Sequence, residues 1–433
     1  MIIGDTFKFS QGGTIVTESE WNTLLNGGGS SSVSMLQGSN VALSSQSETT
    51  FCIDTNGNLR ACGYNGNGEF GMGVISTYSS TFHALSTFRA NIKSVASGGF
   101  HTVAVDVLGK VFTWGLNTAG QLGDGATNSS RIPLDITQSG SLTSLAVQSI
   151  GCGRLFSVAL DASGGVHTWG NNTYGQIGND VRGGANLSIP VAVSSYGSLV
   201  GKTITSVSCG MNHTLVIDST GGLHAWGHNS SAQIGNNPAN PMNSGTVSKV
   251  PVSVSSFGSL VGKTVVACAA GDFHSLAVDS DGNLHAWGGN YDGQLGTGTN
   301  EASYPPSVRV PIAISSFGSL SGKTVTSVSA SASSSCAITS DGHVHTWGKN
   351  GSGQLGTGTQ TDSYSPQDIS TNGSLVGKTV TGIVCGKSHM VAVDSVYQLH
   401  AWGNNQNGQL GDGTTTDTSS PVESGVEPAS IFA

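Results

Sequence analysis

Charge is scarce in this chain. Of 433 residues, 16 are Lys or Arg and 25 are Asp or Glu, 9% in all, against about 25% in an average soluble domain. The net charge is −9 and no run of Lys or Arg exists. That argues against a general nucleic-acid surface, which needs a basic field. No apolar run is long enough to span a bilayer, so no membrane insertion is expected. The N-terminus, MIIGDTFKFSQGG, has neither a basic n-region nor a sustained apolar core, and no secretory signal is expected. Seven cysteines, an odd number, form no C-x-x-C. Cys152, Cys209 and Cys385 each precede a glycine at the same place in a recurring unit. They read as small buried residues of a reducing compartment rather than a disulfide framework or a metal site.

Glycine is what the chain has in quantity, 64 residues, and its hydrophobic residues, 36%, fall in regular alternation. That combination predicts an all-β protein with many turns and a Ser/Thr/Asn/Gly surface. The stretch GSLVGKT at 197–203 looks like a phosphate-binding loop. However, it has three residues between its glycines where the loop needs four, and β-branched alternation follows where a helix should begin. It also recurs, at 258–264, at 318–324 as GSLSGKT, and at 373–379. A stretch used four times belongs to a repeat, not to a nucleotide site.

The repeat has a second signature. Residues 223–235 read LHAWGHNSSAQIG, 284–296 LHAWGGNYDGQLG, 344–356 VHTWGKNGSGQLG and 399–411 LHAWGNNQNGQLG. Residues 166–178 and 111–123 follow the same pattern, and 59–71, LRACGYNGNGEFG, is a worn copy. The anchors Cys62, Trp114, Trp169, Trp226, Trp287, Trp347 and Trp402 are spaced 52 to 61 residues apart. Each unit divides into four short strands; in the fourth they are predicted near 203–209, 213–218, 223–227 and 250–254. Seven such units predict a seven-bladed β-propeller over 31–433, because one blade cannot bury both faces alone and a closed ring leaves only short edges. Together with the preceding G-x-x-H-[ST]-x-[AV]-[VLI]-D, as at 271–279, the W-G-x-N-x-x-G-Q-[LI]-G signature resembles the regulator of chromosome condensation repeat family. That resemblance implies the same seven-bladed propeller. It does not imply one function, since members include a nucleotide-exchange factor for a small GTPase and a β-lactamase inhibitor.

Repetition also governs how single residues are read. His101, His213, His274 and His389 share one repeat position, and His167, His224, His285, His345 and His400 share another. Equivalent positions diverge around a ring, so these histidines are expected to be hydrogen-bonded within or between blades, and no metal or cofactor is expected. The tryptophans are expected to pack between blades, and the Gln of G-Q-[LI]-G to bond backbone across a blade. Lys202, Lys263, Lys323 and Lys378 read as solvated turn residues. The run Asp279-Ser280-Asp281-Gly282-Asn283 reads as a hairpin, because a calcium loop would need a glutamate downstream. No nucleophile, base and orienting group converge, so no enzyme is expected.

Function is therefore sought where the repeats differ. The segments 179–189, 236–250 and 297–310 are longer than 124–132 and 412–420, and such loops cluster on one face. They offer Arg182, Asn240, Met242, Tyr304 and Arg309 as contact candidates. Residues 1–30 fall outside the repeat. Within them TESEWNTLL reads as a capped helix, with Thr17 as N-cap and Glu20 at N3. Trp21, Leu24 and Leu25 would share its docking face, and GGGSSS would form a linker. This segment is similar to N-terminal segments of phage structural proteins. Its expected role is attachment of a display or adhesion propeller to a phage or virus particle, facing other virion proteins or a host receptor or glycan. The alternative is a cytoplasmic propeller that binds and regulates a protein partner, as an exchange factor or an enzyme inhibitor does.

Overall fold

The computed structural model describes residues 45–425 apart from 55–56, 75, 86–90, 182–185, 237–246 and 301–306, with the backbone of 9–11, 14–16 and 40–42. It contains seven four-stranded antiparallel sheets in strict sequence order. Blade one runs from Asn40–Ala42 to Tyr78–Ala84, blade two from Ile92–Ser97 to Ser130–Asp135, and blade three from Val147–Cys152 to Leu187–Ala192. Blade four runs from Ile204–Cys209 to Val247–Ser253 and blade five from Val265–Ala270 to Ser307–Ala313. Blade six runs from Val325–Ala330 to Ser363–Asp368, and blade seven from Val380–Cys385 to Thr418–Glu423. Fourth-unit strands at Ile204–Cys209, His213–Asp218 and Leu223–His228 lie where alternation places them. A two-stranded hairpin, Phe9–Gln11 with Thr14–Val16, precedes the ring where the sequence signals no strand.

Second strands such as His213–Asp218 are buried at every residue because neighbouring blades cover both faces. Outer strands are half exposed, and there Pro190, Pro251, Pro311, Pro366 and Pro421 recur. Proline is tolerated on an edge strand because no ladder partner needs its missing N–H. The GSL segments form single 3-10 turns, Gly140–Leu142, Gly197–Leu199, Gly258–Leu260, Gly318–Leu320 and Gly373–Leu375. Each lies over the outer strand of the blade that follows. A Cβ on Gly197 would strike the Pro251 carbonyl, and Gly258 meets Pro311 in the same way. The phosphate-loop likeness is thus a crossover between blades.

One carbonyl organises each blade boundary. Trp169 Nε1 donates to the Gln121 carbonyl of the preceding blade at 2.9 Å. Trp226, Trp287, Trp347 and Trp402 repeat this on Gln176, Gln233, Gln294 and Gln354. All of these indoles are fully buried. The Gln side chain bonds mainly within its own turn, where Gln233 Oε1 accepts the Ser231 N–H at 2.9 Å, although Gln176 Nε2 also reaches Asn212 Oδ1 of the next blade at 3.4 Å. Across the boundary it is the Gln main-chain carbonyl that accepts, which corrects the expected role of the side chain.

The same carbonyl also accepts Ser157 Oγ at 3.0 Å, and Ser275 and Ser335 repeat the bond. Ser157 Oγ has one proton and donates it there. It must therefore accept from His101 Nε2, 2.8 Å away. His213, His274 and His389 make the equivalent contact with Ser275, Ser335 and Thr50. Burial lowers the pKa of all four imidazoles to about 3, so they are neutral donors.

The ring closes without a strand shared between the two ends of the chain. Blade one packs on blade seven through Cys52, Val391, Val393 and Leu399. Thr50 donates to the Gln409 carbonyl at 2.6 Å, and Lys387 Nζ meets Glu48 at 2.6 Å. Blade one lacks the tryptophan, but Phe82 from its outer strand fills that space. Gly411 abuts Phe82 and Cys62, where Gly235 abuts the Trp287 indole.

Candidate functional site

Antiparallel order gives the propeller two different faces. Hairpins between second and third strands share one face with the crossovers. Turns between first and second strands share the other, the turn face, with the connections from third to outer strands.

The hairpin face is built from bonded scaffold groups. Ser198 Oγ donates to His224 Nδ1 at 2.7 Å, and His224 Nε2 donates to Asp218 at 3.1 Å. The same Ser–His–Asp set recurs as Ser141–His167–Asp161, Ser259–His285–Asp279 and Ser374–His400–Asp394. It resembles a hydrolytic triad in composition only. In blade six Thr339 replaces the aspartate and the His345 contact persists at 3.2 Å. Each carboxylate is also engaged by its own hairpin: Asp279 Oδ1 accepts the Asp281 and Asn283 N–H groups. Burial alone would raise the Asp279 pKa, yet hydrogen bonds from Asn283 and His285 outweigh it and bring it down to about 2. These sets tie each crossover to a hairpin. Lys202 and Lys378 reach Asp218 and Asp394 at 2.9 and 3.3 Å, so the turn lysines are paired as well as solvated.

The turn face is where the blades differ. Around the axis, neighbouring inner turns are stitched by main-chain bonds. Gly99 N donates to Arg154 O at 3.3 Å, Arg154 N to Met211 O at 3.0 Å, and Lys387 N to Ser47 O at 2.9 Å. This collar displays Phe100, Leu155, Asn212 and Phe273 on blades two to five, but Ser333 and Ser388 on blades six and seven. Outside it lies a second ring, Leu116, Asn171, His228, Gly289, Lys349 and Asn404. Each donates its N–H to the inner turn of its own blade, as His228 does to Asn212 O at 2.8 Å.

An aromatic ladder crosses blades three, four and five on this face. The Tyr174 and His228 rings are 4.4 Å apart, and His228 and Phe273 are 6.1 Å apart, edge to face. Gln233 Nε2 donates to His228 Nδ1 at 3.2 Å, which leaves the imidazole proton on Nε2. Burial lowers the His228 pKa, so the ladder is uncharged near neutrality. Tyr174 and Tyr291 are 38% and 46% exposed, unlike the buried scaffold tryptophans. The outer connections of the same three blades span 171–186, 229–246 and 290–306, longer than 116–129, 349–362 and 404–417. Long connections and exposed aromatics therefore coincide.

Among the described residues a side-chain contact spans the axis. Gln46 Nε2 donates to Asp272 Oδ1 and Oδ2 at 2.6 and 2.7 Å, joining blade one to blade five. The connection holding Gln46 runs from Ala42 to Thr49, whereas blade five passes from Ala270 to His274. Burial raises the Asp272 pKa to about 6 against the opposing effects of Gln46, Lys387 and Arg154.

Of the residues expected to make contacts, Arg182, Asn240, Met242 and Tyr304 lie outside the described residues, as do Trp21, Leu24 and Leu25. Arg309 is partly buried in the outer strand of blade five, at a register shift next to the Val308–Gly288 pair. It is a side-wall residue rather than a loop tip. The ladder is hard to read from the sequence because its members sit in scaffold positions. Its signal was nevertheless present: the residue after each W-G changes from repeat to repeat while its neighbours stay fixed. Among the described residues no group of three or more His, Cys, Asp or Glu is placed to hold a metal. None of the helices described is long and apolar enough to cross a membrane.

A closed ring with one rigid, bonded face and one varied face defines a binding propeller. Residues 79–431 match the RCC1-like domain, and the chain belongs to that family. The ultraviolet-B receptor UVR8 of Arabidopsis thaliana is 30% identical over 332 residues, 76% of this chain and 69% of the receptor. The secretion-regulating guanine nucleotide exchange factor of Bos taurus is 30% identical over 388 residues, 85% of this chain and 79% of the factor. The E3 ubiquitin-protein ligase HERC2 of Mus musculus is 31% identical over 353 residues, but the chain spans only 7% of its length. Among solved structures, human WBSCR16 superposes with a TM-score of 0.73 at 24% identity, covering 85% of this chain and 94% of that one. This last likeness concerns the fold alone.

These relatives overturn the expectation of a phage or virus particle display protein. The relatives named are a receptor, an exchange factor and a ligase, and similarity to phage proteins finds no support. The features that prompted the expectation have a scaffold cause. Glycines are needed at left-handed positions in the turns of every blade, Gly123, Gly178 and Gly235 among them. The polar Ser, Thr and Asn side chains bond those turns, so low charge and polar loops do not mark a particle surface.

Proposed function

We propose that the chain is a non-enzymatic regulator that docks a protein partner on the turn face of blades three to five. The observation that carries this is the coincidence of Tyr174, His228 and Phe273 with the three longest outer connections. Aromatic side chains held rigid by a scaffold contribute large contact area at small entropic cost, and such residues dominate interfaces. The exchange-factor relative supports a small GTPase as the partner class. The seven cysteines, all free, fit a reducing compartment.

The test compares the wild-type chain with a Tyr174→Ala/Phe273→Ala variant. Each is immobilised, offered extract from the native source and then the purified captured protein. Direct binding that weakens about tenfold or more in the variant, with folding unchanged, supports the reading; tenfold corresponds to about 1.4 kcal/mol. Equal binding by both chains overturns the placement. Turnover of a substrate by the chain alone overturns the non-enzymatic reading.

A further inference from the structure

The boundary between blades six and seven is marked by a close pair of thiols. Where four boundaries place a histidine and its hydroxyl acceptor, this one has Ser334 and Met390, as the boundary of blades three and four has Phe156 and Thr214 and that of blades one and two has Thr49 and Thr102. Ser334 Oγ turns to Ser331 Oγ of its own blade at 2.6 Å. No imidazole bond crosses here, and a dithiol occupies the boundary. Cys336, in the second strand of blade six, and Cys385, in the first strand of blade seven, have their Sγ atoms 3.3 Å apart. Ser329 fixes both. It pairs with Cys336 in the sheet, and its hydroxyl accepts the Cys385 N–H at 3.1 Å. Both thiols and Met390 belong to one buried apolar cluster.

We infer that Cys336 and Cys385 are an oxidative cross-linking site that staples blade six to blade seven, with a small peroxide as the oxidant. In the first step one thiol attacks hydrogen peroxide; an S–O bond forms, the O–O bond breaks, and a sulfenic acid and one water result. The second thiol then attacks that sulfur, the S–S bond forms and a second water leaves. The two sulfurs lose two electrons and two protons, and the peroxide is reduced to two waters. The apolar surroundings select a small neutral oxidant over a bulky charged disulfide. Burial raises the Cys336 pKa and keeps it protonated, so the reaction is slow in the folded ring. The same burial shields the product from thiol reductants.

The test treats the intact, folded chain with hydrogen peroxide, quenches it, and alkylates in denaturant with N-ethylmaleimide. The untreated chain accepts seven labels, one for each cysteine. The oxidised chain is expected to lose the labels of Cys336 and Cys385 alone, with a mass lower by two hydrogens and one cross-linked peptide pair. Dithiothreitol added in denaturant before alkylation restores both labels. In Cys336→Ser the remaining six thiols stay labelled after peroxide. Thermal unfolding shifts upward on oxidation in the wild type and not in Cys336→Ser. Retention of all seven labels overturns the inference, and so does preferential pairing of Cys152 with Cys209. If Cys336→Ser fails to fold, Cys385→Ala gives the same readout.

Discussion

His101 Nε2 lies 2.8 Å from Ser157 Oγ, which itself donates to the Gln121 carbonyl 3.0 Å away. A neutral imidazole therefore donates across a blade boundary, and protonating it would place a charge in a buried, uncharged relay. His213, His274 and His389 stand in the same position.

The ring is expected to lose stability in mild acid. The unfolded chain takes up protons at these four histidines below about pH 6.5, whereas the folded chain does so only near pH 3. Stability therefore falls as pH drops through that window, by about 1.4 kcal/mol per unit for each histidine. Asp272 opposes one of them. Its folded pKa is about 6 and its ordinary value 3.8, so there the folded chain holds the extra proton. These five groups alone give a net of about three protons and a slope of about 4 kcal/mol per pH unit below pH 6; His224, His228, His285, His345 and His400, whose pKa values burial also lowers, add to it, and Glu69, raised by burial, opposes it. Urea denaturation between about pH 7 and about pH 5 measures it, and a flat profile would refute the neutral-relay account.

Replacing Cys62 with tryptophan restores the repeat signature on paper but is expected to destabilise the ring. The space is already filled, because Phe82 and Cys62 both abut Gly411. An added indole overpacks a closed boundary, at about 1–3 kcal/mol. Cys62→Trp with Phe82→Ala should recover much of the loss. A thermal midpoint for Cys62→Trp above the wild type would show that Phe82 does not replace the missing ring.

Tyr397→Gly is expected to stabilise the chain. Tyr397 has φ 66°, while the equivalent hairpin residues Gly57, Gly109, Gly164, Gly221, Gly282 and Gly342 have φ between 75° and 87°. A non-glycine residue in this left-handed region costs roughly 1–2 kcal/mol. Tyr397 is also 48% exposed, which limits what its ring returns in packing. Glycine's greater freedom in the unfolded chain takes back part of the gain, leaving about 1 kcal/mol. Equilibrium unfolding of the two chains decides it; a less stable Tyr397→Gly means that the ring contributes more than its exposure suggests.

The repeat made the architecture legible because its anchors report geometry directly. A tryptophan in every unit after the first, followed by G-Q-[LI]-G, is what one blade needs to cover the next. Alternation placed His213–Asp218 correctly for the same reason. What stayed hidden depends on contacts between units. Nothing near Gly197 announces that it must pass over Pro251, and nothing near Cys62 announces Phe82. The candidate site was hidden more deeply. Loop length pointed to blades three, four and five, but the ladder forms only when Tyr174, His228 and Phe273, from three different repeats, are curled onto one face.

Gln46 offers the most demanding test of the turn face, because its contact exists only if the ring is closed and the first inner turn crosses the axis. Its amide donates to both oxygens of Asp272. Gln46→Ala leaves a buried carboxylate short of two donors, a loss of about 1–3 kcal/mol near pH 7. Part of that loss is relieved by protonation, so the Asp272 pKa should rise further above 6 in the variant. The difference between the two chains should then shrink below pH 6, where Asp272 is neutral in both. Asp272→Asn should show no such pH dependence, since no charge remains to be compensated. Stability of the three chains across pH separates these cases; a Gln46→Ala penalty that is constant with pH would mean that the glutamine acts through packing and not through the carboxylate.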